Sequence, residues 1–167
     1  MPEVVRAAGR VYQLNRKSQT PGERGLPKVP VGEALVTAAG VEGDFNVYRH
    51  EVSRDDPAMA VLIVPLEMLR VFDREGWPVR PGDLGENITS VGVPYEEFVP
   101  GARYRVGDTL LEVTKPCTPC DNLYSLPYVG AERGPEFLRI TLGRRGWYAK
   151  VLREGRVRKD DPIERMT

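Results

Sequence analysis

The pattern of apolar and polar positions breaks this chain into short runs punctuated by glycine and proline. Val4 to Leu14 reads as a first strand, with Gly9 marking a bulge or a close backbone approach, and it runs into a polar loop from Asn15 to Gly25. Gly25 to Val31 follows as an extended segment confined by its prolines, with Lys28 the one cation among apolar neighbours and a solvent-facing strand position its plainest reading. Glu33 to Ala39 resumes strand character, and Gly40 to Asp44 turns the chain, with the Asp44 carboxylate placed to bond its own turn amides. Ala58 to Val64 is continuously apolar, as a strand buried on both faces should be.

The period then changes. With Pro65 at the first helical position, Leu66, Leu69 and Phe72 at a spacing of three predict an amphipathic helix ending near Gly76. Pro81 to Thr89 is a loop dense in Gly, Asp and Asn that presents amides and polar tips next to a strand. Ala102 to Val106 and Thr109 to Thr114 form a hairpin about Gly107-Asp108. Ala131 to Leu142 reads as a second helix, Trp147 to Leu152 and Arg156 to Lys159 as a closing hairpin about Glu154-Gly155, and the tail after Asp160 as a short edge.

Composition narrows this picture. A chain of 167 residues can bury one sizeable core, so residues 1–167 are expected to form a single domain, and 17 glycines with 15 prolines suit many short strands better than a helical bundle. Basic and acidic side chains number 24 each, which gives no global attraction for nucleic acid or an anionic membrane. Residues 101–167 are the more cationic part, which modestly favours an anionic ligand there. The N-terminus lacks an apolar stretch of signal-peptide length, and the longest apolar run, Ala58 to Leu66, is too short to cross a bilayer. A cytoplasmic address with reduced thiols is the expectation.

Both cysteines, Cys117 and Cys120, fall just past the apolar strand Thr109 to Thr114, on a segment stiffened by Pro116 and Pro119. Inert packing is one reading of the pair. A thioredoxin-like redox site is another, although here the chain continues irregularly from Asp121-Asn122 toward Pro127 instead of opening a helix. Zinc needs about four nitrogen or sulfur ligands, and the chain offers Cys117, Cys120 and its single histidine, His50, unless carboxylates or a second subunit contribute. A non-enzymatic module using the cysteine pair for zinc or redox sensing is the alternative that this leaves.

Taken in order, GLPKVPV (25–31), GVEGD (40–44), Arg49-His50, GDLGENIT (82–89), YRVGD (104–108), the Pro-Cys-x-x-Cys segment and GWYAKVLREGRVRKDD (146–161) resemble the MOSC family, the molybdenum cofactor sulfurase C-terminal domains, from about Gly9 to Ile163. The resemblance implies a mainly β fold, a barrel of mostly antiparallel strands with a few peripheral helices. It also implies a cysteine that ligates molybdenum in its pterin cofactor or carries sulfur as a persulfide. That residue maps to Cys120, which follows Pro119; Cys117 stands where relatives often carry a basic residue, and Glu51-Val52-Ser53 follow His50 where relatives commonly have two glycines. Lys28, Asp44, Arg49, His50, Gly85, Glu86, Asn87 and Cys117 occupy the positions expected around the molybdopterin. A soft thiolate suits a soft, sulfur-rich metal centre, and phosphate suits cations or loop amides. By the same resemblance the chain acts in reduction of N-hydroxylated compounds with an electron-donor reductase, or in sulfur transfer from a cysteine desulfurase. Pyridoxal phosphate belongs to that partner alone. Cys120 is expected to be the more reactive thiol, activated by loop amides and nearby cations.

Overall fold

The computed structural model describes residues 6–17, 26–44 and 56–167, so the predicted roles of Arg49 and His50 lie outside the described residues. Its strands are β1 (Arg6–Arg16), β2 (Val29–Val31), β3 (Glu33–Thr37), β4 (Gly40–Val41), β5 (Val61–Pro65), β6 (Ile88–Val91), β7 (Arg103–Val106), β8 (Thr109–Pro116), β9 (Trp147–Arg153), β10 (Gly155–Arg158) and β11 (Pro162–Arg165), with helices α1 (Leu66–Arg74) and α2 (Gly130–Thr141). The main sheet runs β11-β7-β8-β9-β5-β6-β1, and pairing of β1 back onto β11 closes it into a seven-stranded barrel, with β2 added to the edge of β1. All pairings are antiparallel except β5 with β6, whose parallel register requires a crossover through α1. The fold is mainly β, as expected. No helix among the described residues is long and apolar enough to cross a membrane.

β5 shows how sequence sets the layers. All five residues of VLIVP are buried, because Val61 and Ile63 face the barrel interior while Leu62 and Val64 face a second apolar layer beneath the helices. Leu66, Leu69 and Phe72 of α1 and Phe137 of α2 fill that second layer, where Trp77 packs on Phe137 at 4.9 Å between centroids. Pro65 ends β5 in an extended conformation and caps α1 from outside, so the helix begins one residue later than predicted. The start of the predicted strand at Ala58 is instead a short 3-10 turn, Pro57–Met59, held by Asp56, whose carboxylate accepts the Ala58 amide at 2.9 Å.

Three further expectations change. β1 continues through Asn15 and Arg16, which pair with Pro30 and Val29 where a loop was predicted. β10 does not return along β9: it pairs with β3 in a separate three-stranded sheet, β10-β3-β4. Only Glu154 separates β9 from β10, too little for a two-residue hairpin loop, and its carboxylate accepts the Ala38 amide at 2.7 Å beyond the end of β3. The tail is no free edge either, because β11 lies between β7 and β1 and seals the barrel. Gly9 does mark a close approach: a Cβ there would sit 2.2 Å from the Val91 carbonyl oxygen, and the register of β1 on β11 shifts between Ala7 and Gly9.

Candidate functional site

The loop Gly82–Asn87, between α1 and β6, separates two polar clusters. On one side, the structure brings together Lys28, Asp44 and Asn87. Asp44 Oδ2 accepts from Lys28 Nζ at 2.7 Å and from Asn87 Nδ2 at 2.8 Å, while Oδ1 accepts the Lys17 amide at 2.8 Å. Lys28 is 4% exposed, so this is a buried ion pair and not the solvent-facing strand cation its spacing suggested. Asp44 serves these distant groups across the fold. Asn87 is itself fixed, its Oδ1 accepting the Leu62 amide at 3.1 Å and its backbone bonding Leu62 and Asn15.

Glycine geometry locks this side of the loop. Gly82 has φ +92°, its carbonyl accepts the Lys28 amide at 2.9 Å, and a Cβ would stand 2.4 Å from the Lys28 carbonyl oxygen. Gly85 has φ +87°, and a Cβ there would meet Leu26 Cδ2 at 2.9 Å and Arg145 Nη2 at 3.9 Å. The bare backbone at Gly85 therefore sits between the segment leading to Lys28 and the second cluster.

Glu86 points inward and is wholly buried, with Oε2 accepting from Thr89 Oγ1 at 3.0 Å; Thr89 Oγ1 in turn accepts from Asn15 Nδ2 at 3.0 Å. Burial pushes the Glu86 carboxyl up to about 7, against the lowering effect of backbone amides and the Thr89 hydroxyl. Burial likewise raises Asp83, whose Oδ2 accepts from the Tyr128 hydroxyl at 2.8 Å, and raises Tyr128, with the Asp83 charge adding to the effect.

The second cluster is built on Arg145, 6% exposed, between α2 and β9. Its Nε and Nη2 donate to the Leu84 carbonyl at 3.3 and 3.1 Å, and its Nη1 donates to the Thr118 carbonyl at 3.2 Å and reaches Cys120 Sγ at 3.4 Å. One guanidinium thus ties the loop to the cysteine segment and sets a cation against the sulfur. Burial pulls the Arg145 pKa down, but Cys117 and Cys120 more than offset this, so the cation is held.

Both cysteines are free, with different surroundings. Cys120 is partly exposed at the entrance to a short 3-10 turn, Asp121–Ser125. Cys117 is 3% exposed; its Sγ lies 3.4 Å from Tyr148 Oη and 3.9 Å from the Thr118 carbonyl oxygen, and its amide donates to the Gly146 carbonyl at 2.9 Å. Among the described residues no group of three or more His, Cys, Asp or Glu is placed to share a metal ion. Arg145, Asn15, Thr89 and Tyr148 join the predicted residues only in three dimensions. Arg145 is adjacent to the quoted segment that begins at Gly146, and its one sequence signal is that it forms a basic doublet with Arg144 at a strand entrance.

The MOSC domain matches residues 49–164 of this chain. YiiM of Escherichia coli (strain K12) is 30% identical over 146 residues, covering 83% of this chain and 62% of YiiM, and its crystal structure superposes with a TM-score of 0.67. A protein named Reductase from Gibberella moniliformis is 36% identical over 85 residues, covering 49% of this chain and 14% of that protein. The chain therefore spans less than two thirds of the length of either protein. The YUAD protein of Bacillus subtilis shares the fold, with a TM-score of 0.76 over 95% of this chain and 96% of that one at 20% identity.

Proposed function

Because the chain belongs to the MOSC domain family and is on that ground a molybdenum-cofactor-related domain, we propose that it binds the molybdenum cofactor with Cys120 as the sulfur ligand and acts in reduction of N-hydroxylated compounds. The observation that carries this reading is the partly exposed Cys120 with its Sγ 3.4 Å from Arg145 Nη1, a soft donor whose negative form has a cation beside it. The donor set fits the metal end of the group. Gly85 is packed against Leu26, so it shapes the loop beside Arg145 rather than offering an open face of its own. When bound, the cofactor supplies two-electron exchange with a substrate oxygen.

The chain's own residues contribute position and charge. Arg145 holds the Cys120 sulfur and anchors Leu84, and so fixes the distance between sulfur and loop. Lys28, Asp44 and Asn87 clamp the other side of the loop; with its ammonium engaged by Asp44, Lys28 acts through the loop rather than as a free cation for phosphate. Likeness to a protein named Reductase supports the reductive direction; in this reading a partner reductase delivers the electrons.

The test is purification from a host that makes the cofactor, followed by metal analysis and pterin fluorescence. Wild type and Cys117→Ser should retain molybdenum and pterin, whereas Cys120→Ser should lose both with its circular dichroism unchanged. Full retention by Cys120→Ser removes the assignment. A persulfide mass on Cys120 after incubation with a cysteine desulfurase, with no metal bound, would replace it by sulfur carriage.

A further inference from the structure

Cys117 takes no part in the reading above, yet it is linked to Cys120 through the Thr118 carbonyl and Arg145. Cys120 Sγ is 3.4 Å from Arg145 Nη1, the Thr118 carbonyl oxygen is 3.2 Å from the same nitrogen, and Cys117 Sγ is 3.9 Å from that oxygen. The two sulfurs hang from one guanidinium-carbonyl pair. They also differ in the way a reacting and a resolving thiol differ: Cys120 is partly exposed with a cation against it, while Cys117 is buried among Tyr148 and the apolar layer under the helices. A buried thiol is shielded from solutes but less so from a cysteine three residues along its own chain.

We propose that the pair is a peroxide-responsive site in which Cys120 is oxidised first and Cys117 resolves it as an intrachain disulfide. In the first step the Cys120 sulfur attacks the peroxide, forming an S–O bond as the O–O bond breaks; the alkoxide or hydroxide leaving group takes up a proton, and Cys120 becomes a sulfenic acid. In the second, the Cys117 sulfur attacks that sulfur, the S–S bond forms, the S–O bond breaks, and the hydroxyl leaves as water with the Cys117 proton. Two thiols and one peroxide thus give one disulfide, one water and one alcohol or water. The thiols supply the two electrons that reduce the O–O bond, and a small dithiol returns them.

The chemistry needs no cofactor and stands apart from the proposed metal ligation. The two meet in one consequence: a Cys120 locked in a disulfide has no thiolate to offer a soft metal, so the oxidised protein cannot load.

The experiment uses the cofactor-free full chain, hydrogen peroxide, dimedone as the sulfenic acid probe, and intact mass under non-reducing conditions. Wild type should lose two hydrogens and both alkylatable thiols together, take up no dimedone, and recover with dithiothreitol. Cys117→Ser should take up about one dimedone per chain on Cys120, as expected of a sulfenic acid with no resolving partner. In Cys120→Ser, the remaining thiol should be lost at least about tenfold more slowly than wild-type thiols. Cys117→Ala, which leaves the buried position apolar, is the second variant should the serine disturb folding, and it should label as Cys117→Ser does. Dimedone labelling of wild type equal to that of the Cys117 variants, a disulfide found only between chains, or equally fast thiol loss in Cys120→Ser would each overturn the proposal. If both Cys117 variants misfold, wild type alone decides by whether it takes up dimedone or closes a disulfide. Failure here leaves molybdenum retention untouched, because that assay is read without oxidant.

Discussion

The two clusters flanking the Gly82–Asn87 loop use similar ingredients differently. At Lys28, Asp44 and Asn87, both carboxylate oxygens are engaged within 2.8 Å, the ammonium is buried, and the amide is pinned at both ends. At Arg145 the cation is equally buried, but its partners are two carbonyls and one sulfur, and that sulfur belongs to a partly exposed residue. A saturated cluster stores rigidity. One that ends in a partly exposed soft atom keeps capacity for chemistry, and the loop between them inherits its position from the first and its neighbour from the second.

The largest effect should come from Asp44→Ala, which leaves the Lys28 ammonium buried without its counter-charge and should cost about 3–5 kcal/mol in urea unfolding. A loss under 1 kcal/mol, on the scale of about 1 kcal/mol for an exposed pair, would erase the contrast. Next is the pH dependence set by Glu86. Between the ordinary carboxyl value of 4.5 and the folded value of about 7, the folded protein keeps a proton that the unfolded chain has released, so stability is fullest below this window and falls as pH rises through it. Glu86→Gln should flatten the fall and raise stability at pH 8 by up to about 3 kcal/mol, as seen in denaturation at several pH values. The smaller upward displacement of Asp83 has the same sign, so some slope should survive.

Gly82→Ala should destabilise by about 1–3 kcal/mol through its positive φ alone, and by more where the new Cβ meets the Lys28 carbonyl. Gly76→Ala, also at positive φ but with open space around the new Cβ, is the control that separates backbone strain from the clash. Smallest should be Cys120→Ser, within about 0.5 kcal/mol of wild type as for other partly exposed side chains. Native-state iodoacetamide should label Cys120 in wild type and reach Cys117 only on unfolding. A Cys120→Ser loss matching that of Asp44→Ala would make the second cluster as structural as the first.

Much of the scaffold was legible because local physics decided it. VLIVP had to be a strand buried on both faces, the three-residue spacing from Leu66 had to be a helix, and Gly107-Asp108 had to turn a hairpin. The pairing of β10 was not legible: a strand after a one-residue connection resembles the second arm of a hairpin until Gly155 is seen pressed against Asp108, where a Cβ would lie 2.7 Å from its carbonyl oxygen. The candidate site divides the same way. Cys120 and the loop glycines carry signals in their own neighbours, but Arg145 reads as one of two adjacent surface cations. Arg144 fits that reading, bonding Glu75 at 2.9 Å, whereas the Leu84 and Thr118 carbonyls that draw Arg145 inward come from distant segments.

β11 carries a consequence for biosynthesis. Because residues 162–165 pair with both β7 and β1, the barrel cannot be sealed before they have been made: the strand that closes it follows the other described strands in chain order. Until then β1 and β7 each present a bare edge of unpaired amides and carbonyls. The nascent protein must wait, open along one seam and exposed to pairing with other chains, for the four residues of β11 to arrive.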